Sequence, residues 1–168
     1  MDLGQNYLAS LSYYVPEVFA LLTMVGLVFL EATYNIGDKR KAVYCLTLLG
    51  MMGVIITSIG NFALNPTAIF FNAVVIDKFS TLMKLLMAIG VIGAVYLSYN
   101  SKEIYSELKS EFMIISVGVL IGGMILVSAN NMLSMYLGVE TLSILSYVMA
   151  SFKRNDERSS EAGLKYSL

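Results

Sequence analysis

Residues 112–152 read FMIISVGVLIGGMILVSANNMLSMYLGVETLSILSYVMASF. The eighteen residues from Phe112 to Ala129 carry no charge, Asn130-Asn131 makes a tight polar turn, and a second apolar run from Met132 to Phe152 holds a single charge, Glu140. At about 1.5 Å per helical residue the runs reach about 27 Å and about 32 Å, within the range of about 17–25 residues used to cross the hydrocarbon layer of a bilayer. The stretch therefore reads as two membrane spans joined by a short turn.

The same pattern continues outward. Apolar runs extend from about Tyr14 to Tyr34, from Ala42 to Asn61 and from Phe79 to Tyr99. In NFALNPTAIFF (61–71), Asn65-Pro66 marks a turn, and the apolar residues after it suggest a segment lying along the membrane surface. After the fifth run, the polar stretch KRNDERSSE (153–161) leads into AGLKYSL, the start of a sixth helix. The predicted fold is all-α: a polytopic transmembrane helix bundle with five complete spans and a sixth begun, residues 1–168 forming a single membrane domain.

Composition agrees. Of 168 residues 57% are hydrophobic and 14% charged, with a mean hydropathy of +0.72, whereas a soluble domain carries roughly a quarter charged residues. The net charge of -1 says little about partners, and no nucleic-acid partner is expected beside the lipid bilayer. No Lys or Arg precedes residue 39, so the first run reads as a retained span rather than a cleaved signal peptide. The loops after the first, third and fifth runs hold Lys39, Arg40, Lys41, Lys102, Lys109, Lys153, Arg154 and Arg158, and the opposite side holds Lys78. By the positive-inside rule the N-terminus faces away from the cytoplasm.

The absence of histidine excludes His-ligated haem, the usual zinc sites, Ser-His triads and His proton shuttles. The lone Cys45, inside an apolar run, is expected to pack. No intrinsic cofactor is expected. Gly118-Gly122 and Gly90-Ala94 offer small-residue spacings for close helix approach, and the eleven methionines read as adaptable filling.

Charges inside the runs carry the functional question. Glu17 and Glu31, at the head and foot of the first run, can sit near opposite interfaces, about 21 Å apart. Glu31, Asp38, Glu103, Glu107 and Glu111 read as solvated faces. Glu140 differs, lying about 12 Å from one end of its run and about 20 Å from the other. An acid at such depth costs about 2.5–3.5 kcal/mol on insertion scales and is kept where it faces protein, water or a partner. At helical spacing Tyr136, Ser143, Tyr147 and Ser151 share its side, a hydroxyl stripe able to satisfy a carboxylate and hold water.

Proton or ion handling is one reading of this acid, and a structural hydrogen bond across a helix interface is the other. Contact with a lysine at an effective dielectric near 20 is worth about 4 kcal/mol, and moving a charge across 100 mV needs about 2.3 kcal/mol. Making or breaking one such pair can gate a proton. The candidate cations are Lys165, about a turn and a half into a helix capped near Ser159 or Ser160, and Lys84, for which snorkelling to the interface is the simpler reading.

The motifs LGVETLSILSYVMASF, EAGLKY and VIDKFSTLMKLL resemble the antiporter-like membrane subunits of respiratory complex I, and the whole chain looks like the N-terminal part of the family's subunit N branch. The resemblance spans nearly all residues and is strongest from about Asn130 onward. It implies a membrane-arm subunit of a proton-translocating NADH:quinone oxidoreductase in the cell (inner) membrane, with other membrane-arm subunits as partners. NADH, flavin, iron–sulfur clusters and quinone are then expected in other subunits. By the same resemblance Glu140 matches the family's fifth-helix acid and Lys165 the lysine of its sixth-helix EAxxKY pattern. Later buried lysines and an inverted second half of the family fold are not in these 168 residues. A cation/proton antiporter subunit working without NADH, and a non-catalytic membrane scaffold, are the alternatives.

Overall fold

A computed structural model describes residues 10–11, 13–33, 39–101, 108–152 and 157–167. Its helices are α1 (Val15–Thr33), α2 (Lys39–Asn61), α3 (Lys78–Asn100), α4 (Leu108–Ser128), α5 (Met132–Ala150) and α6 (Glu157–Ser167). The first five are long and apolar enough to cross a bilayer, and the chain is a multi-pass membrane protein. Their bounds lie within four residues of the sequence expectation, because the same polar clusters that end the apolar runs also end the helices. Pro16 fits the first turn of α1, where its missing N–H has no intrahelical partner to lose. Capping boxes open the helices that follow turns. Asp77 accepts from Ser80 N (2.7 Å) at α3, and Asn131 accepts from Ser134 N (2.8 Å) at α5.

Side chains sort as they should in lipid. Large apolar residues such as Leu22, Phe29, Leu49, Ile56, Leu86 and Leu97 point outward, because acyl chains are as apolar as they are. Small and polar residues turn inward: Glu17, Ala20 and Thr23 on α1, Thr47 and Ser58 on α2, Thr81, Lys84, Ala88 and Ser98 on α3. Several inward hydroxyls satisfy themselves on their own helix, Thr23 donating to Phe19 O and Thr47 to Val43 O, both at 2.7 Å.

Helix α4 lies at the centre. It packs on α1, α2, α3 and α5, while α6 packs on α5. The Gly118–Gly122 spacing makes the expected close approach, with Leu145 and Leu142 of α5 against the two glycines. From the other side, a Cβ at Gly138 of α5 would fall 2.8 Å from the Leu126 backbone, so only glycine fits that crossing. The Gly90–Ala94 spacing does not bring helices together. Gly90 has open space around it, and both residues line an apolar groove of about 380 Å³ between α3, α4 and α5. Cys45 is exposed on the outside of α2 rather than packed, because the buried stripe of that helix runs through Val43, Thr47 and Met51.

The segment expected to lie along the surface is a β-hairpin. Strands β1 (Thr67–Ile69) and β2 (Val74–Ile76) pair antiparallel, with Thr67 opposite Ile76 and Ile69 opposite Val74. The turn places Phe70, Phe71 and Asn72 at positive φ (51°, 54° and 64°), the left-handed sense that hairpin turns use. Its inner residues Ile69, Val74 and Ile76 meet Tyr13, Tyr14 and Phe70. The α4–α5 turn clamps it. Asn130 N donates to Ala73 O (3.0 Å), Asn130 Nδ2 to Asn72 O (3.0 Å) and Ser134 Oγ to Ala73 O (2.7 Å). The hairpin thus lies over the end of the bundle where α1, α3 and α5 begin.

At the opposite end, Lys109 belongs to the first turn of α4 rather than to a loop. It is buried, and its ammonium donates to Tyr99 O (2.8 Å) and Ser101 O (2.5 Å), carbonyls that the end of α3 leaves open. Tyr44 stacks on Tyr99 (4.3 Å), and Arg40 lies 4.8 Å from the Tyr99 ring centre. Glu31 pairs with Lys39 at 2.7 Å. Helix α6 is already under way at Glu157, so Ser159 is not its cap; its hydroxyl donates to Ala150 O (3.2 Å) and ties α6 to the end of α5. Asp38, Lys102, Glu103, Glu107, Lys153 and Arg154 lie outside the described residues.

Candidate functional site

Helix α5 buries only Ser134 and Gly138. Glu140 lies on its exposed face, as does Tyr136, which is 61% accessible. Ser143 and Tyr147 are half-buried, and Tyr147 meets Tyr166 of α6. Along this side of α5 exposure thus falls from Tyr136 and Glu140 to Ser143 and Tyr147. Among the described residues no cation comes within ion-pair distance of Glu140.

Lys165 is exposed and pairs with Glu161 of its own helix at 2.5 Å. The rings of Tyr147 and Tyr166 meet edge to face at 5.2 Å, which sets the level of α6 against α5. Since α6 runs back along α5, Lys165 stands about 12 Å short of Glu140 along the axis, beyond the reach of a lysine side chain. The structure thus brings Tyr147 beside the helix that carries Lys165, and leaves Glu140 and Lys165 as separate groups.

The most buried charges are elsewhere. Glu17 and Lys84 are each 1% exposed, and Lys84 Nζ lies 2.5 Å from Glu17 Oε1. The expectation that Lys84 snorkels is overturned, and Glu17, still near the head of its span, falls like Lys84 on the inward face of its helix. Helices α1 and α3 face each other diagonally across the unit formed with α2 and α4, and their backbones hardly touch. The ion pair crosses that diagonal. Among the described residues neither the Glu17 carboxylate nor the Lys84 ammonium has a further hydrogen-bond partner, and Ser58 Oγ and Ser98 Oγ are likewise buried without one. Tyr14, one residue before α1, lies close by; burial and the Glu17 charge push its phenol up to about 12.

Sixty-six residues lie between Glu17 and Lys84, so no local motif joins them. The legible signal is the stripe on each helix. Glu17, Ala20, Thr23 and Leu27 recur at helical spacing, as do Thr81, Lys84, Ala88 and Val95, and in lipid a stripe of small and polar residues turns inward and takes its charge with it.

Residues 129–168, which hold both Glu140 and Lys165, match the family described as NADH:quinone oxidoreductase/Mrp antiporter, TM. Over most of its length the chain is similar to subunit N of NADH-quinone oxidoreductase. It is 36% identical over 149 residues to that subunit of Flavobacterium johnsoniae, covering 88% of this chain and 32% of the relative. Identity is 34% over 168 residues with the Bartonella bacilliformis subunit N, covering 99% and 34%. NAD(P)H-quinone oxidoreductase subunit 2 of Thermosynechococcus vestitus is 29% identical over 154 residues, covering 92% and 30%. The chain spans about a third of the length of these curated relatives.

Proposed function

We propose that the chain serves in the membrane arm of a proton-translocating NADH:quinone oxidoreductase, with Glu140 and Lys165 exchanging protons. Electrons pass from NADH to quinone through flavin and iron–sulfur clusters held by other subunits, and neighbouring membrane-arm subunits and lipid surround this chain. The observation that carries the reading is the family match over residues 129–168, which takes in the two helices that hold both groups.

The geometry supports roles that are separate and sequential rather than a fixed pair. Glu140 faces away from the bundle with Tyr136 beside it, positioned for a helix or a file of water on that side. Lys165, held by Glu161 and flanked by the Tyr147–Tyr166 contact, can change partner by a rotation of its four-carbon stem. The chain resides in the cell (inner) membrane, its N-terminus and hairpin on the non-cytoplasmic side.

In the full-length chain within its complex, Glu140→Gln is expected to lower NADH-driven proton pumping while leaving assembly and NADH oxidation in place. Pumping at the wild-type level in an assembled variant sinks the role of Glu140. The family description names an antiporter as well, so a cation/proton antiporter working without NADH is the second reading. Proton movement that persists in vesicles deprived of NADH and quinone selects it.

A further inference from the structure

We propose that Glu17 and Lys84 form a proton-exchange site of their own, in the middle of the α1–α4 unit and beneath the β-hairpin. The inference rests on the reading of the chain as a proton-moving subunit and places a second site within it, apart from Glu140 and Lys165.

Three observations carry it. First, both groups are 1% exposed and 2.5 Å apart, so a proton can pass from ammonium to carboxylate with almost no movement of heavy atoms. Second, the pair bridges helices whose backbones hardly touch, and neither group has a further hydrogen-bond partner among the described residues. A pair kept only to hold two helices together gains from the remaining donors and acceptors being filled, and an apolar pair of the same size does that work as well. Here the unfilled capacity of the two groups leaves lone pairs and N–H groups for water. Third, the site is shallow on one side and closed there. Glu17 is the third residue of α1 and Lys84 the seventh of α3, and the hairpin covers that end through Tyr14, which meets Phe70 edge to face at 5.4 Å.

The exchange conserves charge and electrons. The N–H bond of the Lys84 ammonium breaks, its electron pair stays on Nζ, and the proton forms an O–H bond on Glu17. The charged pair becomes a neutral pair. Glu17 then gives its proton to water on one side, and Lys84 takes another from a hydronium ion. One proton has passed and nothing is oxidised or reduced.

The test compares Glu17→Gln/Lys84→Met with Glu140→Gln in membrane vesicles containing the full complex, reading protons moved per NADH oxidised. The double variant removes both charges together and leaves none unpaired. A loss of pumping in the assembled double variant is the expected result. Loss in E140Q with none in the double variant overturns this inference and leaves the proposed function standing; the reverse pattern supports this site and removes Glu140, and no loss in either overturns both. A second measurement needs no variant. A hydrophobic carbodiimide adds to a protonated carboxyl, and the resulting acylurea is read by peptide mass spectrometry. Labelling of Glu17 in the wild-type complex shows that the carboxyl takes up a proton, and an unlabelled Glu17 beside labelled intramembrane carboxyls of the same complex overturns the proposal.

Discussion

A single ion pair shows how burial changes the meaning of a residue. Near a span end, a glutamate or lysine can reach headgroup water for little free energy. Turned inward, as Glu17 and Lys84 are, each depends on the other. Lys84→Met alone leaves a buried carboxylate unpaired and should destabilise the fold by about 3–5 kcal/mol, while Glu17→Gln/Lys84→Met should cost far less. Denaturant unfolding in detergent measures both. Equal destabilisation by the single and double variants would show that the charges do not compensate one another. Glu140 is different at this scale, since it presents its carboxylate outward on a face of α5 that the described residues leave uncovered.

Among the elements, the hairpin is the one the sequence reading missed as such. Asn65-Pro66 announces a turn, but the strands are three residues each, too short for a clear alternation. The tip is also poor in the glycine that left-handed turns favour: Phe70, Phe71 and Asn72 fill those positions. Phe71 is 76% exposed, and its backbone bears the left-handed penalty, about 1–2 kcal/mol for an L-residue. Phe71→Gly should therefore be neutral or stabilising by up to about 1 kcal/mol, after the entropy glycine loses on folding. A lowered melting temperature in lipid vesicles would mean that the contacts of the ring outweigh the relief of backbone strain. The long helices were legible for the opposite reason. Their apolar runs reach about twenty residues, and Asp77 and Asn131 stand where caps are needed.

For the molecule as a whole, the end of the bundle bearing Lys39, Arg40, Lys41 and Arg158 is expected to face the cytoplasm and the hairpin the other side. An Asn65→Cys variant, at an exposed position before β1, should react with a membrane-impermeant maleimide added to intact cells. Cys45, exposed on a side of α2 that faces lipid, should not. Labelling only after the cells are opened reverses the topology. The bundle this topology describes is organised around α4, whose glycines let α5 approach closely on one side while α1, α2 and α3 gather on the other.

Sequence alone determined that the chain crosses a membrane five times, where each crossing begins and ends, and that Glu140 and Lys165 lie in the two helices that resemble the antiporter-like membrane subunits of respiratory complex I. Those conclusions rest on the length of apolar runs and on local motifs, and a helix in lipid satisfies its own backbone without help from neighbours. Which charges are buried was decided by the tertiary structure. The rotation of each helix about its axis depends on what the other helices present, and only that rotation separates a snorkelling Lys84 from one that meets Glu17 across the bundle.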